Sequence, residues 1–302
     1  MMALSNSKKK EDTTLHLPRI LCLHGGGTNA IVFRMQCRVV THHLRDSFRF
    51  VFVDAPFPCD PHPDIIPVYA GYGPYLRWLR SLTEHAAVDS ETMISTIDES
   101  LGRAMNDDDL KGGTGQWVAL MGFSQGAKIA ASLLYRQQVR AEKLGKRNAG
   151  SDYRFAVLMA GSAPVISLDR EVITNSPAII DAAVSCEESW RWIDTDWLFD
   201  EEHEEQHMLH LPTIHVHGLQ DPGLHMHQRL LTQYCRPENS KLMEWDGAHR
   251  IPIKTPDVMQ LVDLILQTAV ETGVLKSQVV RASGFPGLKL TSMQRGERMA
   301  GL

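Results

Sequence analysis

Short apolar runs recur along the chain, and most of them stop at glycine or aspartate. Arg19-Ile-Leu-Cys-Leu-His24 runs into Gly25-Gly26-Gly27, Phe50–Val53 into Asp54-Ala55-Pro56, Trp117–Met121 into Gly122, Phe155–Met159 toward Gly161, and Thr213–His217 into Gly218. Lys241–Trp245 is a further run of the same kind. Brief runs rich in β-branched and aromatic residues, bounded by turn formers, predict buried strands. Between them lie stretches of helical composition: Asn29–Leu44, Ser90–Met105, the Ala- and Leu-rich Gln125–Gln138, and Pro256–Thr272. Cys59–Tyr75 holds Pro61, Pro63, Pro67 and Pro74 with Gly71 and Gly73, which predicts a long loop. The alternation predicts βαβ units, hence an α/β fold with a mostly parallel central sheet and helices on both faces. Such sheets gather their sites beyond the carboxyl ends of the strands. Segment 165–210 interrupts the alternation with Trp190, Trp192, Trp197 and Phe199 among acidic residues, and reads as an inserted cap over those ends.

Composition narrows the class. The chain has 302 residues, 43% apolar and 22% charged, with a formal charge of −5. That apolar content argues against disorder, and a chain this long buries a core without staples. No apolar run approaches the roughly 18 residues of a membrane span. A mildly acidic protein has no overall attraction to nucleic acid. Cys22, Cys37, Cys59, Cys186 and Cys235 form no C-x-x-C pair, which reads as reduced thiols in a cytoplasmic protein. Lys8-Lys9-Lys10 is followed by no apolar segment, so no secretory signal is expected. Residues 1–18 read as a flexible segment and 276–302 as a loosely attached basic tail. The charge is uneven: residues 187–207 carry nine acids against Arg191 alone, a local −8.

The candidate chemistry begins at Gly122-Phe123-Ser124-Gln125-Gly126, a G-x-S-x-G string between a predicted strand and a predicted helix. A nucleophile elbow needs that context, with glycines where Cβ atoms would collide. The serine then projects at a helix N-terminus, which favours a developing oxyanion. A serine hydroxyl needs a base. Asp221 and His249 follow the serine in the order acid then histidine, each just past a predicted strand. Asp246 competes with Asp221 as the acid. His215, His217, His225 and His227 could suggest a metal, but they lack companion ligands at familiar spacing and read as structural. Neither metal nor cofactor is expected.

His24-Gly25-Gly26-Gly27 follows the first strand and can supply an oxyanion donor, Gly26 being favoured over Gly27, with the N–H of Gln125 as the second. Gly25, Gly27 and Ala30 also satisfy a relaxed dinucleotide-binding pattern with Asp54 as its acid, and Ser124 weighs against that alternative. Tyr69, Tyr72, Trp190, Trp192 and Trp197 are candidates to line an acyl pocket.

These motifs together resemble the fungal serine hydrolase (FSH) family of α/β-hydrolases. The resemblance rests on Ile20–Ala30, Val53–Pro56, Gly71–Pro74 with Trp78, Gly122–Gly126, His215–Asp221 and Gly247–His249. It spans about 19–270, within a hydrolase domain expected over 19–275. The His-Gly-Gly-Gly-Thr-Asn version is similar to stand-alone thioesterases associated with fungal polyketide synthases, of the lovastatin-pathway type. The resemblance implies Ser124, Asp221 and His249 as a triad. It also implies release of an acyl chain from the phosphopantetheine thioester of an acyl carrier domain. A carboxylesterase acting on small oxoesters and a non-catalytic binding protein of the same fold are the alternatives. Carrier domains in such families are usually acidic, so docking is expected away from 187–207, near Arg77 or Arg80.

Overall fold

The computed structural model describes residues 12–171, 178–184 and 207–277. Its strands are β1 Arg19–Leu23, β2 Arg49–Val53, β3 Phe57–Pro58, β4 Leu76–Arg77, β5 Trp117–Phe123, β6 Phe155–Met159, β7 Ile166–Ser167, β8 Ile180–Asp181, β9 Thr213–Gly218 and β10 Ser240–Trp245. The helices are α1 Ala30–Gln36, α2 Arg38–Leu44, α3 Ile66–Tyr69, α4 Ser90–Leu110, α5 Gln125–Leu144, α6 Leu224–Tyr234 and α7 Thr255–Glu271. Six strands form one sheet in the order β2-β1-β5-β6-β9-β10, and every neighbouring pair is parallel. The fold is that of an α/β-hydrolase.

Successive residues of a strand face opposite sides, so the sheet separates two cores. Leu21, Leu23, Leu120 and Leu158 pack with α4, α5 and α6, while Ile20, Cys22, Met121 and Val157 pack with α1, α2 and α7. Both faces are covered, which is why the strands read as continuous apolar runs.

The differences from expectation have local causes. Asn29–Leu44 is two helices, because Cys37, at ψ 0°, lies outside helical geometry. α4 continues past Met105 through Asp107, Asp108 and Asp109, although acids oppose the dipole at a helix C-terminus. Arg49 holds Asp108 at 2.8 Å, and Arg19 pairs with both Asp108 and Asp109. Within the expected loop, Pro63–Ile65 forms a turn of 3-10 helix that leads into α3. Asp12–Pro18, read as flexible, is fastened to the body: Thr114 donates to the Leu15 carbonyl at 2.7 Å and Arg49 reaches Asp12 at 2.7 Å.

The described ends of the 165–210 insertion run down the flank of α5. Ile166 N–H donates to Ser132, Arg136 to the Leu168 carbonyl, and Arg140 pairs with Asp169 at 2.6 Å. α5 starts at the strand ends and descends from them, so these pieces lead away from the site. The acidic run, apart from His207, lies outside the described residues, as do Trp190, Trp192 and Trp197.

Candidate active site

At the β5–α5 turn, Ser124 adopts φ 52°, a left-handed conformation that a non-glycine residue enters only at a cost. The close approach it permits explains both flanking glycines. A Cβ at Gly122 would lie 2.3 Å from the Gly126 carbonyl oxygen, and one at Gly126 would lie 2.0 Å from that of Leu23. Real atoms cannot sit there, so the turn exists only with glycine at both positions. Ser124 N–H anchors the turn by donating to the Met159 carbonyl at 2.9 Å.

The chain brings the three distant residues into one line. Ser124 Oγ lies 3.0 Å from His249 Nε2, and His249 Nδ1 lies 2.7 Å from Asp221 Oδ2. A carboxylate only accepts, so the imidazole carries its proton on Nδ1 and offers the Nε2 lone pair to the serine. Asp221 is 6% exposed, and its other oxygen accepts the Gly223 N–H at 2.8 Å. Burial pushes that carboxyl up, but the hydrogen bond and electrostatic pull of His249 and the Gly223 N–H outweigh it. The net shift is downward, so Asp221 stays ionised. Asp246 is exposed and bonded to Gln220, which removes it as the competing acid.

The glycine loop settles against the elbow. Gly27 N–H donates to the Leu76 carbonyl at 2.9 Å, so it is not available as an oxyanion donor. Gly26 lies against the Gln125 side chain, where an added Cβ would come within 2.9 Å of Cδ. His24, to which sequence reasoning gave no role, sets this loop. Its Nε2 accepts the Ala55 N–H at 2.9 Å, which places the ring proton on Nδ1, 2.7 Å from the Gly25 carbonyl oxygen. That carbonyl belongs to the same peptide as the Gly26 N–H, and the two point in opposite directions. Fixing the first therefore aims the second. Burial, against the pull of the Gly25 carbonyl and Asp54, pushes His24 down to about 4, so it remains neutral.

The Gln125 side chain also escaped sequence reasoning. Its amide oxygen accepts the Trp78 N–H at 3.1 Å and its nitrogen donates to Ser81 at 2.5 Å, tying a second loop to the elbow. Asp54 accepts the Ala30 N–H at 2.8 Å at the head of α1, and so occupies the end that a dinucleotide would need.

Tyr69 and Tyr72 lie on the 59–75 loop, beside the glycine loop, with ring centroids 5.9 Å apart; Tyr72 is 45% exposed. Asn29 donates to the Tyr72 carbonyl at 2.6 Å. His215 and His217 are buried on one face of β9, with centroids 5.9 Å apart, and His227 packs beside His217 at 5.8 Å. His225 is exposed. Arg77 is 5% exposed and lies over the Phe57 ring at 5.3 Å, so it is not a surface for carrier docking. Arg80 donates to the carbonyls of His85 and Thr83.

The arrangement can pass a proton from a serine hydroxyl to an imidazole oriented by a buried carboxylate. Residues 14–261 match the family described as serine hydrolase (FSH1). Among curated relatives, "Probable esterase tazC" of Aspergillus terreus is 51% identical over 265 residues, 88% of this chain and 97% of that protein. Esterase pigG of Monascus ruber is 48% identical over 279 residues, covering 90% and 99%. Esterase claE of Penicillium crustosum is 45% identical over 278 residues, covering 90% and 100%.

Proposed function

The chain belongs to the FSH1 family of serine hydrolases, and from that premise we propose that it hydrolyses acyl thioesters through an acyl-serine intermediate on Ser124. The observation that carries the acyl-serine mechanism is the unbroken Ser124–His249–Asp221 line, with contacts of 3.0 and 2.7 Å. His249 takes the Ser124 proton as Oγ attacks the acyl carbonyl. Asp221 holds the imidazole by Nδ1 and stabilises the imidazolium that forms. The N–H groups of Gly26 and Gln125 receive the oxyanion; one such donor typically contributes about 2.7–4 kcal/mol. The sulfur, with a thiol pKa near 8.5, departs as a thiolate with little acid assistance and then takes the proton from His249, which restores the neutral base. Water, deprotonated by His249, then attacks the acyl-serine, and Ser124 recovers its proton.

The substrate we propose is an acyl chain, of polyketide type, carried as a phosphopantetheine thioester on an acyl carrier domain. The support is the resemblance of the His24–Asn29 loop to thioesterases of that kind. A second reading, hydrolysis of oxoesters, is favoured by the name esterase that the relatives above carry. The same triad serves both, since the two substrates differ in the leaving atom alone. We place the enzyme in the cytoplasm. Cys22, Cys37, Cys59 and Cys235 are free thiols, and no helix among the described residues is long and apolar enough to cross a membrane.

The deciding experiment compares turnover of acyl thioesters and oxoesters of matched chain length, together with release from a loaded carrier protein. Faster turnover of the thioester, with carrier-bound release, is expected. A preference for short oxoesters without carrier-bound release would replace the first reading by the second.

A further inference from the structure

Next to the triad lies a histidine that the reaction does not use. His227, on α6, is 2% exposed, and its Nδ1 is buried without a hydrogen-bond partner. That nitrogen is 3.9 Å from Asp221 Oδ2, and its ring centroid is 6.1 Å from that of His249. One ligand atom from each of Asp221, His227 and His249 falls within a group spanning no more than 4.8 Å. Two imidazoles and one carboxylate with a fourth position open is a donor set suited to zinc-like ions and poorly suited to magnesium or calcium. The residue spacing hid this set, because its members come from the loop after β9, from helix α6 and from the loop after β10.

We propose that the Asp221 carboxylate, His227 Nδ1 and His249 Nδ1 form a site for Zn²⁺ whose occupation switches the enzyme off. Zinc bonds of about 2.0–2.2 Å in a tetrahedral array require the triad pair to spread from 2.7 Å and His227 to close from 3.9 Å. Side-chain rotation supplies these shifts while the strands stay fixed. His227 enters as a neutral ligand, since burial pushes its imidazole down to about 4.

The consequence for catalysis follows from proton balance. His249 is normally protonated on Nδ1 and accepts on Nε2. Zinc takes the Nδ1 lone pair, so the ring proton moves to Nε2 and no proton is released. Nε2 then donates to Ser124 Oγ and cannot accept its proton. Asp221 loses the hydrogen bond that oriented the ring. A chelator reverses each of these changes.

The effect on turnover rests on the triad reading; binding of the ion does not, and the test separates the two. Zn²⁺ is titrated calorimetrically into Ser124→Ala, and ester turnover by the wild type is measured across zinc concentrations. One equivalent is expected to bind Ser124→Ala, and EDTA is expected to restore activity to inhibited wild type. His227→Gln is expected to keep its basal turnover and to need at least tenfold more zinc for half-inhibition. The exposed neighbour variant His225→Ala is expected to stay as sensitive as wild type. Should His227→Gln fail to fold, Co²⁺ bound to Ser124→Ala is expected to give intense four-coordinate visible absorption. Equal zinc sensitivity of His227→Gln and wild type would overturn the proposal. So would absence of binding to Ser124→Ala, or a weak six-coordinate cobalt spectrum. If wild type lacks turnover altogether, the functional reading fails while the binding result still judges the site.

Discussion

Asp221 and Asp108 are similarly buried carboxylates, 6% and 4% exposed, at opposite ends of the same sheet. Asp221 lies past the carboxyl end of β9. Its partners are a backbone N–H and one imidazole, whose far nitrogen faces Ser124. Asp108 lies below the opposite ends, among the first residues of β1 and β2. It is flanked by Arg49 at 2.8 Å and Arg19 at 3.3 Å, two guanidiniums that never lose their charge. Arg49 continues to Asp12 at 2.7 Å, and Arg19 stacks over Trp117 at 4.0 Å. One carboxylate is satisfied by an imidazole that, in the mechanism we propose, changes protonation at every turnover. The other is satisfied by groups that cannot. Burial alone therefore does not mark a catalytic acid; the titratability and onward contact of its partner do.

Substitutions at the two acids should separate cleanly. Asp221→Asn is expected to lower kcat about 10⁴-fold, as loss of a triad acid does, while denaturant midpoints stay near wild type. Asp108→Asn is expected to do the reverse, costing about 1.5–3 kcal/mol of stability because Arg19 and Arg49 lose their shared buried counter-charge and keep only the half-exposed Asp109 and Asp12, with kcat of the folded fraction retained. Urea unfolding and steady-state kinetics on both variants check this. A kcat collapse in Asp108→Asn with intact stability would break the comparison.

Acid should find the Asp221 side first. Burial drives His24, His217 and His227 down to about 4 and His215 to about 3, so all four are neutral in the fold. The unfolded chain takes up those protons near pH 6.5, and the folded chain does so only below about 4. Their contribution to stability is thus full above pH 6.5 and is lost as the pH falls toward 4. At pH 5.5 the loss is about 1 kcal/mol per histidine, visible as a lower urea midpoint than at pH 7.5. Equal midpoints would contradict the neutral assignment.

The smallest effect belongs to Asp12. Hydrogen bonds from Thr14 and then Arg49 hold its carboxyl at about 2, so its contribution is full above the ordinary carboxylate range and disappears as the pH falls toward 2. Asp12 is half exposed, and Asp12→Asn is expected to cost about 0.5 kcal/mol, less in high salt.

The two ends also differ in how far they could be read from the chain. Ser124, Asp221 and His249 stand beside glycines at strand ends, and their order is a one-dimensional signal. Asp108 meets Arg49 and Arg19 across 59 and 89 residues, and nothing local links them. The same limit hid the tie from Gln125 to Trp78 and Ser81. His24 lay in plain view in its motif, but its role depends on which carbonyl its ring reaches. α6 was missed although Leu224–Tyr234 is rich in Leu, Met, Gln and Arg and its buried Met226, Leu230 and Tyr234 repeat at helical spacing; His225 and His227 drew the reading toward the question of a metal instead. The sheet was legible because both of its faces are buried.

The central claim is that Ser124 becomes acylated with His249 as its base. Wild type, Ser124→Ala and Asp221→Asn can be incubated with a fluorophosphonate and the adduct mapped by peptide mass spectrometry. Wild type should carry one adduct, on the peptide containing Ser124. Ser124→Ala should carry none, and Asp221→Asn should react several orders of magnitude more slowly while remaining folded. An adduct on another serine, or labelling of Ser124→Ala at the wild-type rate, would contradict the account.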